Sequence, residues 1–358
     1  MDQQIEQRAQ KRQLPRLTGL RGLAATIVFL SHAAIVGYLP PFLRHGFGQV
    51  GVMIFFVLSG FLMAYLYIER RPTAANVVSY ARARVGRVVP LYLALVIISV
   101  VVSNFVYDDF RYAMPLNDPA QILRALLFLE APWELWTIPV EMQFYAAFML
   151  MWLLYPRLGK WALIIFGVLI TIPAGIYFML LDARPSILPT YGFAFIIGSL
   201  LGVYLPEIRH LLGGRVPEFV GALFLILLFV NTPGLREQLG LSMSPGAGYT
   251  STWLDPITWL IVLGLFVSCL LASKSLAFLD WKPFILLGDI SYGLYLMHYP
   301  ILEITAQFIG VNAMGLLVAS VTSVGLAWLS YRFFELPTMR VIRGRSKRPP
   351  TLNATKGS

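Results

Sequence analysis

Residues 49–68 read QVGVMIFFVLSGFLMAYLYI, twenty positions without a charged side chain. A helix of that length rises about 30 Å at roughly 1.5 Å per residue, the thickness of a bilayer's hydrocarbon core. Polar and apolar residues do not alternate along it, as they would on the strand of a membrane barrel. The stretch therefore predicts a spanning helix. Nine further apolar runs flank it, at 17–38, 88–107, 134–155, 161–181, 187–205, 216–231, 253–272, 283–304 and 313–334. The predicted fold class is all-α, a polytopic transmembrane helical bundle of about ten spanning helices. Residues 121–129 are too short to span and carry Arg124, so an interfacial helix is expected there.

Composition carries the same reading outward to the whole chain. Of 358 residues 58% are apolar, about 208, which at roughly 20 per span fills about ten spans. Only 13% are charged, against roughly 25% in soluble domains, and the mean hydropathy is +0.70. A soluble globular protein, a disordered chain and a disulfide scaffold are all excluded. The single cysteine, Cys269, cannot form an intrachain disulfide, and there is no CxxC pair. No metal site is expected. The run at 17–38 is too long for the core of a signal peptide, and no small-residue cleavage site follows it.

The net charge of +10 could suggest a nucleic-acid partner, but its distribution gives a topology instead. Ten spans put both termini on one side. With both termini cytoplasmic, the inner side holds five Lys and Arg through Arg21 and five from Arg70 to Arg87. It also holds Arg157, Lys160, Arg209, Arg215, Lys274, Lys282 and seven more from Arg332 to Lys356. The outer side holds Arg44, Arg111, Arg124, Arg184 and Arg236. That is 23 inside and five outside, a strong positive-inside bias. No nucleic-acid binding is expected. The chain divides into a basic cytoplasmic tail (1–16), a membrane domain (17–337) and a basic tail (338–358) whose composition predicts disorder.

Ionisable groups inside spans are costly, so each one is a site hypothesis. Arg21 and His32 share the first span, about 16 Å apart by helix rise. Arg21 then lies near the cytoplasmic face and His32 in the outer half, where a neutral imidazole suits general-base work. Arg84 and Arg87 are three apart and share a helix face level with Arg21. Three guanidiniums at one level can grip phosphates, although snorkelling flank charges are the plainer explanation. Glu141 opens the fourth span in the outer half. A carboxylate at that depth needs a partner or a proton, and His32 is the natural one, with Glu141 fixing its tautomer as in a triad. A merely structural pair is the alternative. His298 also falls in the outer half and taken alone reads as structural. Asp289 lies deeper, Glu335 reads as a helix-end anchor, and His45 and His210 receive no role.

Taken together, these segments resemble the acyltransferase family 3 of integral membrane O-acyltransferases. The likeness rests on Arg21-x10-His32, Phe55-Phe56-x-x-Ser59-Gly60-Phe61 and Arg84-x-x-Arg87-x-x-Pro90-x-Tyr92. It continues in Trp136-Thr-x-x-x-Glu141-x-x-Phe144-Tyr145 and Ser291-Tyr292-x-x-Tyr295-Leu-x-His298. The motifs run in order from Leu17 to about Pro337. Thr137 stands where many members have Ser. Some members carry an esterase-like domain after the last span, and none is expected here.

The resemblance implies transfer of an acyl group from cytosolic acyl-CoA, a substrate rather than a bound cofactor, to a sugar hydroxyl. The acceptor classes it implies are exopolysaccharide, O-antigen or similar glycans, including lipid-linked sugars, in a multi-pass protein of the bacterial inner membrane. It implies His32 as catalytic group and Arg21, Arg84 and Arg87 on the acyl-CoA side, with Tyr92 in the same motif. Glu141 would orient His32. Ser59, Tyr145 and Ser291 hydroxyls are candidates to stabilise an oxyanion, and Tyr292 and His298 would support the site. Acetyl is the favoured donor group, because no outer-half cation is reserved for a second carboxylate. The rival reading is a proton-coupled transporter or glycan exporter using His32 and Glu141 as a relay. It predicts matching broken halves, and none are evident. A structural export subunit would leave the outer-half His and Glu unexplained.

Overall fold

The computed structural model describes residues 15–44, 46–105, 114–181, 186–241 and 249–344. Residues 1–14 and 345–358 of the expected tails (1–16 and 338–358), His45, and residues 106–113, 182–185 and 242–248 lie outside the described residues. Among the described residues all regular structure is helical. The first helices are α1 (Pro15–Val36), α2 (Phe47–Tyr67), α3 (Ala74–Phe105), α4 (Pro119–Leu126), α5 (Thr137–Leu158) and α6 (Trp161–Leu181). Next come α7 (Leu188–Val203), α8 (Leu205–Leu212), α9 (Val220–Val230), α10 (Pro233–Gln238), α11 (Tyr249–Leu254) and α12 (Pro256–Leu270). The last four are α13 (Lys282–Asp289), α14 (Ser291–Phe308), α15 (Ala313–Ser330) and α16 (Leu336–Arg343).

Five stretches are long and apolar enough to cross a bilayer: Pro15–Val36, Pro41–Tyr67, Ala74–Phe105, Trp133–Leu158 and Ala313–Arg343. Two bent pairs raise the number to seven if each is one span. The bend is 67° between α7 and α8, and 80° between α12 and the 3-10 turn Lys274–Asp280. Pro206 sits at the second position of α8, and Ala272 takes a left-handed φ of 58° at the second bend. The remaining expected runs are shorter or divided. Of α6, the apolar part Trp161–Ile172 is short, as is α9. The run at 283–304 breaks at Ile290 into α13 and α14. A short helix, α4, forms where an interfacial one is expected near 121–129, capped by Asp118, whose side chain accepts from the Ala120 N–H.

Lipid is as apolar as a leucine side chain, so packing and close backbone approach hold such a bundle together. At the crossing of α2 and α7, a Cβ on Gly60 would overlap the Phe195 carbonyl, and one on Gly198 would overlap that of Val57. Ser199 Oγ donates to the Gly60 carbonyl at 3.2 Å in the same contact. Phe56, Phe195 and Phe144 stack through this interface at 4.4 and 4.2 Å between centroids, linking α2, α7 and α5. Helix α1 lies against α13 in the same way, with Gly288 over the Thr18 carbonyl. Ile97, Leu169 and Val321 are exposed, as expected of side chains that face lipid.

Helix α3 is 32 residues long, about 48 Å at the standard rise. It outruns the bilayer core, so its first turns carry Arg82, Arg84 and Arg87 on the same rod as the span. Pro90 sits inside it.

Candidate active site

Arg21 from α1 and Arg84 and Arg87 from α3 line one cavity. Ser59 from α2, Thr137, Glu141 and Tyr145 from α5, and Ser291, Tyr292 and Tyr295 from α14 complete its polar lining. Buried tyrosines tie the walls together. Tyr80 donates to the Tyr145 carbonyl at 2.9 Å, joining α3 to α5. Tyr292 donates to the Val88 carbonyl at 2.6 Å, joining α14 to α3. Arg84 lies over the rings of Tyr67 and Tyr145, at 5.8 and 5.7 Å from their centroids. One of its terminal nitrogens approaches the Tyr67 hydroxyl at 3.5 Å. Its Nε is buried with no hydrogen-bond partner among the described residues. A guanidinium held by ring faces keeps donors free for an anion.

Glu141 Oε1 accepts hydrogen bonds from Ser59 Oγ at 2.7 Å and Tyr145 Oη at 2.5 Å. It therefore belongs to the arginine cavity, and the expected partnership with His32 is corrected. The carboxylate bonded to His32 is Glu134, with Nε2 to Oε1 at 3.1 Å. Glu134 sits on the 3-10 turn Trp133–Trp136 that opens into α5. Glu141 lies seven residues further on, about 10 Å deeper by helix rise, level with the arginines. Trp133, just before Glu134, takes a left-handed φ of 55°.

On its other side, His32 Nδ1 lies 2.8 Å from His298 Nε2. His298 Nδ1 in turn faces the carbonyls of Leu294 at 3.0 Å and Tyr295 at 2.8 Å. His298 is 1% exposed and Glu134 8%. This Glu134–His32–His298 chain adjoins the cavity on two helices. Glu134 is one turn before the wall residues Thr137 and Ile138, and His298 one turn beyond Tyr295. His298, expected as support, is in direct contact with His32.

Two other expectations change. Tyr92 does not line the cavity. Its hydroxyl donates to the Ala125 carbonyl at 2.9 Å and its ring packs on Phe128, so it pins α4 to α3. Ser291 lines the cavity, but its hydroxyl donates to the Gly288 carbonyl at 2.8 Å across the α13–α14 break. Glu335, buried on the π-turn Tyr331–Glu335, accepts from Ser330 Oγ at 3.1 Å. Glu134 was missed in the sequence because an acid between tryptophans at a span's start reads as an interfacial anchor. Its expected depth, shared with His32, was the available signal.

A family model described as an acyltransferase domain (acyltransferase 3) matches residues 14–332. The exopolysaccharide production protein ExoZ of Rhizobium meliloti is 30% identical over 326 residues, 84% of this chain and 92% of its own length. The peptidoglycan O-acetyltransferase OatA of Listeria monocytogenes is 23% identical, over 92% of this chain and 56% of its own. The O-acetyltransferase OatA of Staphylococcus aureus is 25% identical, over 93% of this chain and 58% of its own. The chain thus spans little more than half the length of these two OatA relatives. No solved structure gives a significant match.

Proposed function

This chain belongs to the acyltransferase 3 family and is an enzyme that transfers acyl groups, and from that premise we propose that it moves an acetyl group from cytosolic acetyl-CoA to a glycan hydroxyl. The proposed acceptor is an exopolysaccharide sugar or a similar glycan, including O-antigen or a lipid-linked precursor. The likeness to ExoZ supports that choice, because it covers nearly all of that protein. The observation that carries the reading is the pairing of two clusters. Three arginines from two helices face one cavity, and a His32-centred hydrogen-bond chain begins one turn from that cavity's wall.

Arg21, Arg84 and Arg87 would hold the phosphates of CoA, each guanidinium offering paired donors. An extended thioester arm would then span the roughly 16 Å from Arg21 to His32. His32 is the proposed catalytic group, at the centre of the hydrogen-bond chain that would exchange protons with the reactants. Glu141 would hold the Ser59 and Tyr145 hydroxyls in the donor cavity. In the same proposal the chain crosses the inner membrane ten times, with both termini in the cytoplasm.

The test is incubation of the purified protein with labelled acetyl-CoA and candidate glycans, followed by mass analysis of the glycan. His32→Ala is expected to abolish transfer while the protein still purifies as a folded monodisperse species. Normal transfer by that variant overturns the assignment of His32.

A further inference from the structure

The bonds around His32 fix the number of protons in its cluster. Carbonyl oxygens only accept, so His298 Nδ1, facing two of them at 3.0 and 2.8 Å, carries a hydrogen. One hydrogen bridges His298 Nε2 and His32 Nδ1 at 2.8 Å. A third lies between His32 Nε2 and Glu134 Oε1 at 3.1 Å. Two neutral imidazoles supply two hydrogens, and the three positions need three. The cluster therefore holds one proton more than two neutral rings and an ionised carboxylate contain.

Both nitrogens of His32 are thus engaged, and neither is a free base in this arrangement. The free acceptor in the cluster is Glu134 Oε2, which is buried and has no hydrogen-bond partner among the described residues. A buried carboxylate oxygen without a donor is costly, and a substrate hydroxyl would satisfy it.

We infer that Glu134 Oε2 receives the hydrogen of the acceptor hydroxyl, which makes Glu134 a catalytic residue of this enzyme. The inference rests on the thioester donor of the proposed function. In the step, the acceptor O–H bond breaks and its proton passes to Glu134 Oε2. The oxygen's electron pair forms the new C–O bond at the thioester carbonyl carbon. The C–S bond breaks, its electrons leave on sulfur, and sulfur takes the proton that His32 and Glu134 Oε1 shared. The products are the ester and the free thiol, and the cluster again holds three protons.

Glu134→Gln tests this sharply. The glutamine amide N–H donates to His32 Nε2, so every hydrogen bond of the cluster is kept with two neutral rings. A purely structural Glu134 would therefore be replaced without loss. As a proton acceptor it cannot be, and kcat is expected to fall about 100-fold or more. The KM for acetyl-CoA and the unfolding temperature should stay at wild-type values, and Glu134→Asp should recover part of kcat. A folded Glu134→Gln enzyme with wild-type kcat overturns the inference, as does a loss matched by an equal loss of thermal stability. If His32→Ala is inactive while Glu134→Gln is fully active, the inference fails and the proposed function stands. If His32→Ala is active and Glu134→Gln is not, the choice of His32 fails and that of Glu134 stands.

Discussion

Arg84 shows how a single residue can be prepared for a ligand. Its guanidinium is held by the rings of Tyr67 and Tyr145 rather than by a carboxylate, and its Nε has no partner among the described residues. Lysine keeps the charge but loses the planar fork and the stacking surface. A hydrogen bond to a charged group contributes about 1.5–3 kcal/mol, so Arg84→Lys is expected to raise the KM for acetyl-CoA about tenfold or more. Because the arginine acts on binding, kcat should change little. Initial rates across a range of acetyl-CoA concentrations read this directly, and an unchanged KM would remove Arg84 from the donor site. The i, i+3 spacing of Arg84 and Arg87 was readable in the sequence because both lie on one helix. The Glu134–His32 bond was not, because it joins the start of α5 to α1, and depth alone could not separate Glu134 from Glu141. Tyr92 shows the opposite error. It stands in the arginine motif, yet its hydroxyl ends on a backbone carbonyl of α4.

Among the elements, the α2–α7 crossing bears most directly on the site, since Ser59 sits beside Gly60 and bonds Glu141. Gly60→Ala would push a methyl group onto the Phe195 carbonyl, which is backbone and cannot swing away. Overpacking of this kind costs about 1–3 kcal/mol. The expected outcome is a lower unfolding temperature in detergent and a loss of transfer, as Ser59 shifts with α2. An unchanged unfolding temperature would mean that the two helices separate freely. The uncharged stretch 49–68 announced α2 because length and hydropathy are local properties. The break at Ile290 and the bends after Val203 and Leu270 did not announce themselves. They fall within or at the ends of apolar runs, where Pro206 and the left-handed Ala272 mark the two bends and the contact of Gly288 with Thr18 lies beside the break at Ile290.

Across the molecule, the charge distribution and the ion pairs agree on two faces. Arg16 pairs with Asp280, Lys160 with Glu207 and Lys274 with Glu218, all among residues that the charge count puts inside. Arg124 pairs with Glu130 and Arg236 with Asp255, among residues it puts outside. The first three pairs each bracket an even number of expected spans, and the last two bracket none. In the proposed topology the arginine cavity lies toward the inner face, where a cytosolic donor would arrive, and the His32 cluster toward the outer face. Cys269 is buried, so a cysteine introduced at the surface can be labelled over a low background. Ser242→Cys is expected to react with a membrane-impermeant maleimide in intact spheroplasts, and Ser358→Cys only after permeabilisation. An odd number of spans must separate two such positions, and the ten-span proposal puts three there. Labelling of both on the same side would remove one span from α12 onward. The run most exposed to that result is 283–304, already divided at Ile290. A re-entrant α13–α14 would carry Ser291 and His298 into the membrane without crossing it, and the maleimide pattern separates that arrangement from a broken but complete span.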